Sequence, residues 1–228
     1  MMKLLLTSGG VRNKSIYDAL VEMLGKPIAE SKALCIPTAG YANSNGAVRA
    51  WAFISGQEPD GQKPHCPMVE LGWKSLAVLE LAALPSIGKD RWLPWVQEAD
   101  VLLVNGGDPL YLNFWIQQSG LADLIPTLDD KVWVGLSAGS MVMAPCIGEW
   151  FVGWTPPTGG DETLGLVDFA MFPHLDHPAL AYNTMVHAEK WAAAMNVPCY
   201  AMDDETAIKV VDGTVEVISE GHWKYFNR

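Results

Sequence analysis

Gly135-Leu136-Ser137-Ala138-Gly139 sets a serine between small residues at the end of an apolar run, and Ser140 to Ala144 can continue as a helix until Pro145. A strand-to-helix corner tight enough to expose a hydroxyl needs small neighbours, because the backbone is strained there. The helix that opens beside it leaves amide groups free to face developing negative charge. The letters alone also fit an ordinary Gly-rich turn; the strand before and the helix after make Ser137 a candidate nucleophile. A serine hydroxyl is a weak nucleophile and needs a base within hydrogen-bond reach. The chain has five histidines: His65, His174, His177, His187 and His222. Two arrangements compete. In one, His174 follows the apolar run Phe169 to Pro173, at the kind of strand end where α/β sheets assemble their sites. In the other, the order is Ser137, an acid from Asp203-Asp204-Glu205, then His222, the order of the α/β-hydrolases. Spacing leaves both open.

Asn105-Gly106-Gly107-Asp108-Pro109 reads first as a helix start, with Asp108 as N-cap and Pro109 at the first helical position. The same start leaves amides unpaired. His174-Leu175-Asp176-His177 hints at a metal site, but no His-Glu-x-x-His or cysteine pair accompanies it, so no metal is expected. Ser8-Gly9-Gly10 lacks both the Gly-x-Gly-x-x-Gly pattern and the Walker lysine, so no nucleotide is expected either. No cofactor is called for. Most of the ten tryptophans suit core and interface packing. Trp150 and Trp154 follow the serine's helix in a loop-rich stretch and could wall a substrate pocket.

The elements that must position these groups are legible as short apolar runs. Lys3 to Thr7 stops at a Gly pair, Ala33 to Ile36 at Pro37, Asp100 to Val104 at Asn105-Gly106-Gly107, and Val132 to Gly135 at Leu136-Ser137. Runs of this length suit strands covered on both faces, and a helical stretch from Ser15 to Leu24 separates the first two. The expected fold is α/β: a mainly parallel sheet with helices on both faces. His187 to Met195 reads as a helix. Asp212-Gly213 between two β-branched runs, Ala207 to Val211 and Thr214 to Ile218, is a strong hairpin signal. Gly153 to Gly160 is expected to be a surface loop.

At 228 residues, half of them apolar, the chain suits one well-filled core, and a single domain over 1–228 is expected. A net charge of −11 argues against nucleic-acid binding, which relies on clustered Lys and Arg. The scattered Cys35, Cys66, Cys146 and Cys199 suit a reducing compartment. The apolar start is too short for a signal peptide, and no run approaches a membrane span. The expectation is a soluble, cytoplasmic protein.

The motifs together resemble the peptidase E (aspartyl dipeptidase) and cyanophycinase family of serine peptidases. The likeness runs nearly end to end, through Thr7-Ser8-Gly9-Gly10, Ile36 to Ala39, Val104 to Asp108, Gly135 to Ser140, Phe172-Pro173-His174 and Met202 to Ala207. The resemblance implies a class I glutamine amidotransferase-like fold, with Ser137 as nucleophile and His174 as base, which demotes His222. It implies a glutamate as the third member; here Asp204 stands at that position, beside Glu205. Glu149, twelve residues past the serine, is a further candidate acid. The amides of Gly107 and Ala138 would then cradle the oxyanion, where losing one donor typically costs ~3 kcal/mol. The family usually has asparagine at 108. A carboxylate there would repel a substrate carboxylate and could instead hold an α-ammonium group. The expected activity is hydrolysis of dipeptides or short peptides through an acyl-enzyme. The partner is a small peptide, with a homodimer as the one assembly entertained. The rivals are an α/β-hydrolase-type esterase using His222 and a catalytically silent amidotransferase-like binding module.

Overall fold

The computed structural model describes residues 2–57 and 67–227; His65 and Cys66 lie outside them. In chain order the strands are β1 (Lys3–Thr7), β2 (Lys32–Ile36), β3 (Ser75–Val78), β4 (Val101–Val104), β5 (Val132–Leu136), β6 (Ala170–Phe172), β7 (Cys199–Met202), β8 (Thr206–Val211), β9 (Thr214–Ser219) and β10 (Trp223–Phe226). The helices are α1 (Lys14–Leu24), α2 (Gly46–Ser55), α3 (Lys89–Glu98), α4 (Pro109–Gln118), α5 (Ala138–Met141) and α6 (Met185–Ala194).

A seven-stranded sheet runs in the order β3-β2-β4-β5-β1-β8-β9. Its first five strands are mutually parallel, and β8 and β9 join antiparallel. Alternate residues of β1, β2, β4 and β5 feed two cores, because side chains along a strand point to opposite faces. Leu4, Leu6, Leu34, Ile36, Leu102, Val104 and Trp133 pack with Trp92 and Val96 of α3 and Leu112 and Ile116 of α4. Leu5, Cys35, Leu103 and Val134 pack on the other side with Ile16, Leu20 and Met23 of α1 and Phe53 of α2. Burial of each such large aliphatic side chain contributes about 1.5–3 kcal/mol. The α/β architecture with helices on both faces is therefore as the sequence implies.

The hairpin is also as expected: Asp212 and Gly213 both have positive φ, 50° and 79°, and connect β8 to β9. That is the backbone twist a two-residue primed turn requires. Two features differ from expectation. A second, three-stranded sheet of order β10-β7-β6 stands apart from the first, packed on α6 through Phe172, Trp191, Met195 and Cys199. The helix after Ser137 stops at Met141 instead of reaching Ala144. The carbonyls of Val142, Met143 and Ala144 are taken by the amides of Leu164, Leu166 and Gly165, at 3.0, 2.8 and 2.8 Å. The Gly153 to Gly160 stretch carries no helix or strand. Among the described residues no helix is long and apolar enough to cross a membrane.

What matters for a site is that the strand ends are level. Thr7 lies beside Leu136, and Gly135 beside both Leu6 and Val104. The residues after β1, β4 and β5 therefore emerge along one edge, where open α/β sheets bind ligands. Close approach there depends on glycine. A Cβ on Gly139 would lie 2.3 Å from the Val104 carbonyl oxygen and 3.0 Å from that of Asn105. Gly139→Ala should therefore destabilise by about 1–3 kcal/mol, as overpacking in a rigid interior does. Thermal melting checks this, with a drop of several degrees expected; an unchanged melt would mean that the strand ends are not held this tightly.

Candidate active site

Ser137 occupies the corner between β5 and α5 with φ 49° and ψ −110°, a region a non-glycine residue enters only when its surroundings force it. The force comes from β1. The Ser137 amide donates to the Thr7 carbonyl at 3.1 Å, and the Ser140 hydroxyl donates to the same oxygen at 2.8 Å. The Thr7 hydroxyl donates to the Gly135 carbonyl at 2.7 Å, and the Trp133 indole N–H to that of Gly139 at 2.8 Å. Ser137 is half-buried.

The Gly106-Gly107 turn after β4 packs directly on this corner. A Cβ on Gly106 would stand 3.3 Å from the Cβ of Ser137, and one on Gly107, whose φ is 144°, 2.1 Å from the Ala39 carbonyl. Among the described residues the amides of Gly107 and Ala138 donate to nothing. They are free donors on two turns that meet at the serine.

His174 follows β6 with φ 57°. Its amide donates to the Ser8 hydroxyl at 2.7 Å, and its ring Nδ1 meets Asp204 Oδ1 at 2.7 Å. Ser137 and His174 are thus tied to consecutive residues, Thr7 and Ser8. A carboxylate beside Nδ1 accepts a hydrogen bond from that nitrogen's N–H, which leaves Nε2 as the lone-pair position of the neutral ring. Among the described residues neither Nε2 nor Ser137 Oγ makes a hydrogen bond. Such bonds are commonly loose without substrate and tighten when it binds.

Asp204 Oδ1 also accepts from the Ser8 hydroxyl at 3.1 Å, and Oδ2 from Arg12 at 3.0 Å. His177 Nε2 stands 3.7 Å from Oδ2. Burial pushes the Asp204 carboxyl up, but the bond and charge of His174, the Ser8 hydroxyl and the Arg12 guanidinium together hold it below the usual range. Glu205 is turned elsewhere, toward Arg12 Nε at 3.5 Å and Asn13 Nδ2 at 3.2 Å. Of the two adjacent acids it is Asp204 that meets the imidazole. Glu149 does not join them; it is exposed on a short turn and lines an open groove of about 540 Å³ with Trp150, Asp161, Lys190 and Trp191.

Asp108 is the N-cap the sequence indicates. Its Oδ1 accepts from the Leu110 and Tyr111 amides, both at 2.9 Å, and Oδ2 from the Trp154 amide at 2.6 Å. Both oxygens are committed to backbone, so the carboxylate clamps the 153–154 loop onto α4. Trp154 sits on that helix too, its ring 5.4 Å from Tyr111 and 5.3 Å from Phe114. Trp150 is half-exposed and lies 5.3 Å from the ring of His187. His187 bonds the Thr184 hydroxyl, which precedes α6, at 2.8 Å. His222 lies in a different cluster, with Nδ1 2.9 Å from Asp203 and Nε2 2.9 Å from Asp176. Ser8 and Arg12 carry no functional signal in the sequence. Ser8 lies in a Gly-rich turn, but only the antiparallel return of β8 brings Asp204 over it.

The profile of peptidase family S51 matches residues 69–218, a span that includes Gly107, Ser137, His174 and Asp204. This chain belongs to peptidase family S51. It is accordingly a peptidase, and the likeness to peptidase E is sound. Among solved structures it resembles a Listeria monocytogenes EGD-e protein named for peptidase E, with TM-score 0.66 and 18% identity over 97% of this chain and 100% of that one. It resembles equally a peptidase from an acI-B1 actinobacterium, with TM-score 0.66 and 18% identity over 100% of this chain and 94% of that one. At that identity the two structures show the shared fold. No curated protein matches the sequence.

The depressed Asp204 carboxyl has a consequence for stability. Between its folded value and the ordinary 3.8 the unfolded chain binds more protons, so stability rises with pH through that interval and falls as pH drops through the folded value. Asp204→Asn should flatten this acid dependence while lowering stability near neutrality. Denaturant melts from pH 2 to 6 test it; parallel curves for both proteins would refute the assigned partnership.

Proposed function

We propose that the protein is a serine exopeptidase, a single α/β domain that hydrolyses dipeptides or short peptides through an acyl-enzyme on Ser137. The observation that carries this reading is the strained Ser137 corner, with the Gly106-Gly107 turn against it and the His174–Asp204 pair tied to the next residue of the same strand end. Ser137 Oγ attacks the scissile carbonyl carbon as His174 Nε2 takes its proton. The amides of Gly107 and Ala138 bind the resulting oxyanion. The intermediate collapses, the C–N bond breaks, and the imidazolium gives its proton to the leaving amine. A water, deprotonated by His174, then attacks the ester, and the serine leaves with its proton restored. Asp204 keeps the ring in the required tautomer and balances the imidazolium charge. None of these steps calls for a cofactor.

Two observations weigh against the rivals. Both ring nitrogens of His222 are engaged with carboxylates, Asp203 and Asp176, which weighs against an esterase that turns His222 onto Ser137. A silent module has no use for a backbone held at φ 49° on a serine, a strain of order 1–3 kcal/mol that persists where function uses it. Thiols that include buried Cys35 and Cys199 fit the cytoplasm, with Cys35 pushed up to about 12 by burial and the nearby Glu80 charge. The groove beside Trp150 is of a size that takes a small ligand; none of Gly107, Ser137, His174 and Asp204 lines it, so what ties it to the substrate is its place in the segment that follows the serine's helix.

Ser137→Ala should abolish hydrolysis of a dipeptide library, a loss on the order of 10⁴-fold or more in kcat, with the melt nearly unchanged. A fluorophosphonate should label wild type at Ser137. His174→Ala should match the Ser137→Ala loss while His222→Ala stays active; the reverse result would establish the esterase. Trp150→Ala should raise KM several-fold at constant kcat, and unchanged kinetics would remove the groove from the substrate's path.

A further inference from the structure

The turn that follows β1, Ser8-Gly9-Gly10, together with Arg12, has no part in the reaction just outlined, yet its contacts converge on one side chain. Ser8 is fully buried. Its hydroxyl accepts from the His174 amide at 2.7 Å and donates to Asp204 Oδ1 at 3.1 Å. A hydroxyl has one proton to give, and here it goes to the acid while the lone pair fixes the backbone of the base. Gly9 leaves no space: a Cβ there would lie 2.8 Å from Cβ of Asp204, 2.8 Å from its Cγ and 2.8 Å from Cδ of Arg12. Gly10 has φ 89° and its amide donates to the Thr7 hydroxyl at 2.9 Å, which pins the turn to the strand. Arg12 closes the far side on Asp204 Oδ2 at 3.0 Å.

The backbone that carries Asp204 is equally fixed. Asp203 Oδ1 accepts from the Glu205 amide at 3.1 Å and the Thr206 hydroxyl at 2.6 Å, and the Thr206 amide donates to the Asp203 carbonyl at 3.2 Å. Asp204 can neither retreat along its own turn nor advance into Gly9. Its carboxylate is boxed by Ser8, Arg12 and the imidazole.

We propose that Ser8, Gly9 and Arg12 form a socket cut to the length of an aspartate, and that Ser8 and Arg12 are positioning residues that act on His174 through Asp204. The inference rests on the reading of His174 as the base. A glutamate at 204 would carry its carboxylate one methylene further, into groups with no slack, so the short acid is a fitted part of this chain. Arg12 also sets the field. The charged or titratable groups around the pair are Arg12 from the β1–α1 segment, His177 from the loop after β6 (3.7 Å from Oδ2), and Glu205, which draws on Arg12 at 3.5 Å. Asp203 and Asp176 are engaged with His222. Arg12 is the principal cation offsetting Asp204, so its removal leaves the carboxylate holding the imidazolium more firmly.

Two measurements on the full chain test this. In the first, an NMR titration follows the His174 imidazole, which needs no substrate. Arg12→Ala should raise its midpoint, because a repelling positive charge is removed, and Arg12→Lys should restore most of the difference. Arg12 is partly exposed at 30%, so the variant tests charge without opening the core. In the second, fluorophosphonate labelling of Ser137 is timed against pH. Ser8→Ala and Asp204→Glu should each slow labelling about tenfold or more, with Asp204→Glu no better than Asp204→Asn. An unmoved midpoint in Arg12→Ala, or wild-type labelling by Asp204→Glu, overturns the socket. A wild type that labels at no pH overturns the serine-peptidase reading instead, and the titration still decides whether Arg12 acts on His174.

Discussion

The carbonyl oxygen of Thr7 accepts two hydrogen bonds, from the Ser137 amide at 3.1 Å and the Ser140 hydroxyl at 2.8 Å. The Thr7 hydroxyl donates to Gly135 and accepts from Gly10. One fully buried residue therefore joins the strained corner to the turn that holds Asp204. A left-handed serine does not keep that geometry unaided; it is held by the bonds that the Thr7 carbonyl, the Thr7 hydroxyl and the Trp133 indole make across the corner in a rigid interior. Thr7 can do this because β1 is a central strand, between β5 and β8. With Leu136 on one side and Ala207 on the other, its position is fixed from both directions before any site residue is placed.

The second sheet then accounts for the pairing of His174 and Asp204. β6 and β7 are parallel neighbours, with Phe172 opposite Ala201. Two residues beyond each partner, the chain reaches His174 on one strand and Asp203 on the other, so the imidazole and Asp204 leave the sheet side by side. The Leu175 amide bonds the Met202 carbonyl at 3.1 Å and extends the register past the strand ends. β7 passes within three residues into β8, which runs antiparallel to β1, and this reversal turns Asp204 over Ser8. The small sheet sets the pair, and the large sheet sets where the pair sits.

Strong local signals carried the sequence reading a long way. The runs ending at Thr7, Ile36, Val104 and Leu136 are strands because nothing but a doubly covered sheet accommodates such continuous apolar stretches. Asp212-Gly213 and Asp108-Pro109 were legible because turn and cap chemistry is local. The second sheet was not. β7 and β10 are four-residue strands, and the exposed Trp223 and Tyr225 carry no alternation that separates them from a loop. The sequence does not show where α5 ends, because what ends it is a ring of amides some 20 residues away in the chain. Asp108 reads as a cap in the sequence, but the partner of its second oxygen is not legible there. Only the folded loop brings the Trp154 amide onto it.

Proximity to a carboxylate does not distinguish the two histidines that the sequence left in competition. His174 has Asp204 at 2.7 Å and His222 has Asp203 at 2.9 Å, and the acids are neighbours in the chain. What differs is the second nitrogen. In His222 it faces Asp176 at 2.9 Å, on a side chain 54% exposed. A ring gripped at both ends and open to water is a solvated link between two loops. In His174, 20% exposed, Nε2 has no partner among the described residues, and the backbone is locked to Ser8. A ring held at only one nitrogen leaves the other able to exchange a proton with a neighbouring group. Two Asp–His contacts of nearly equal length thus differ in whether the fold leaves the second nitrogen uncommitted, and only in His174 does it do so.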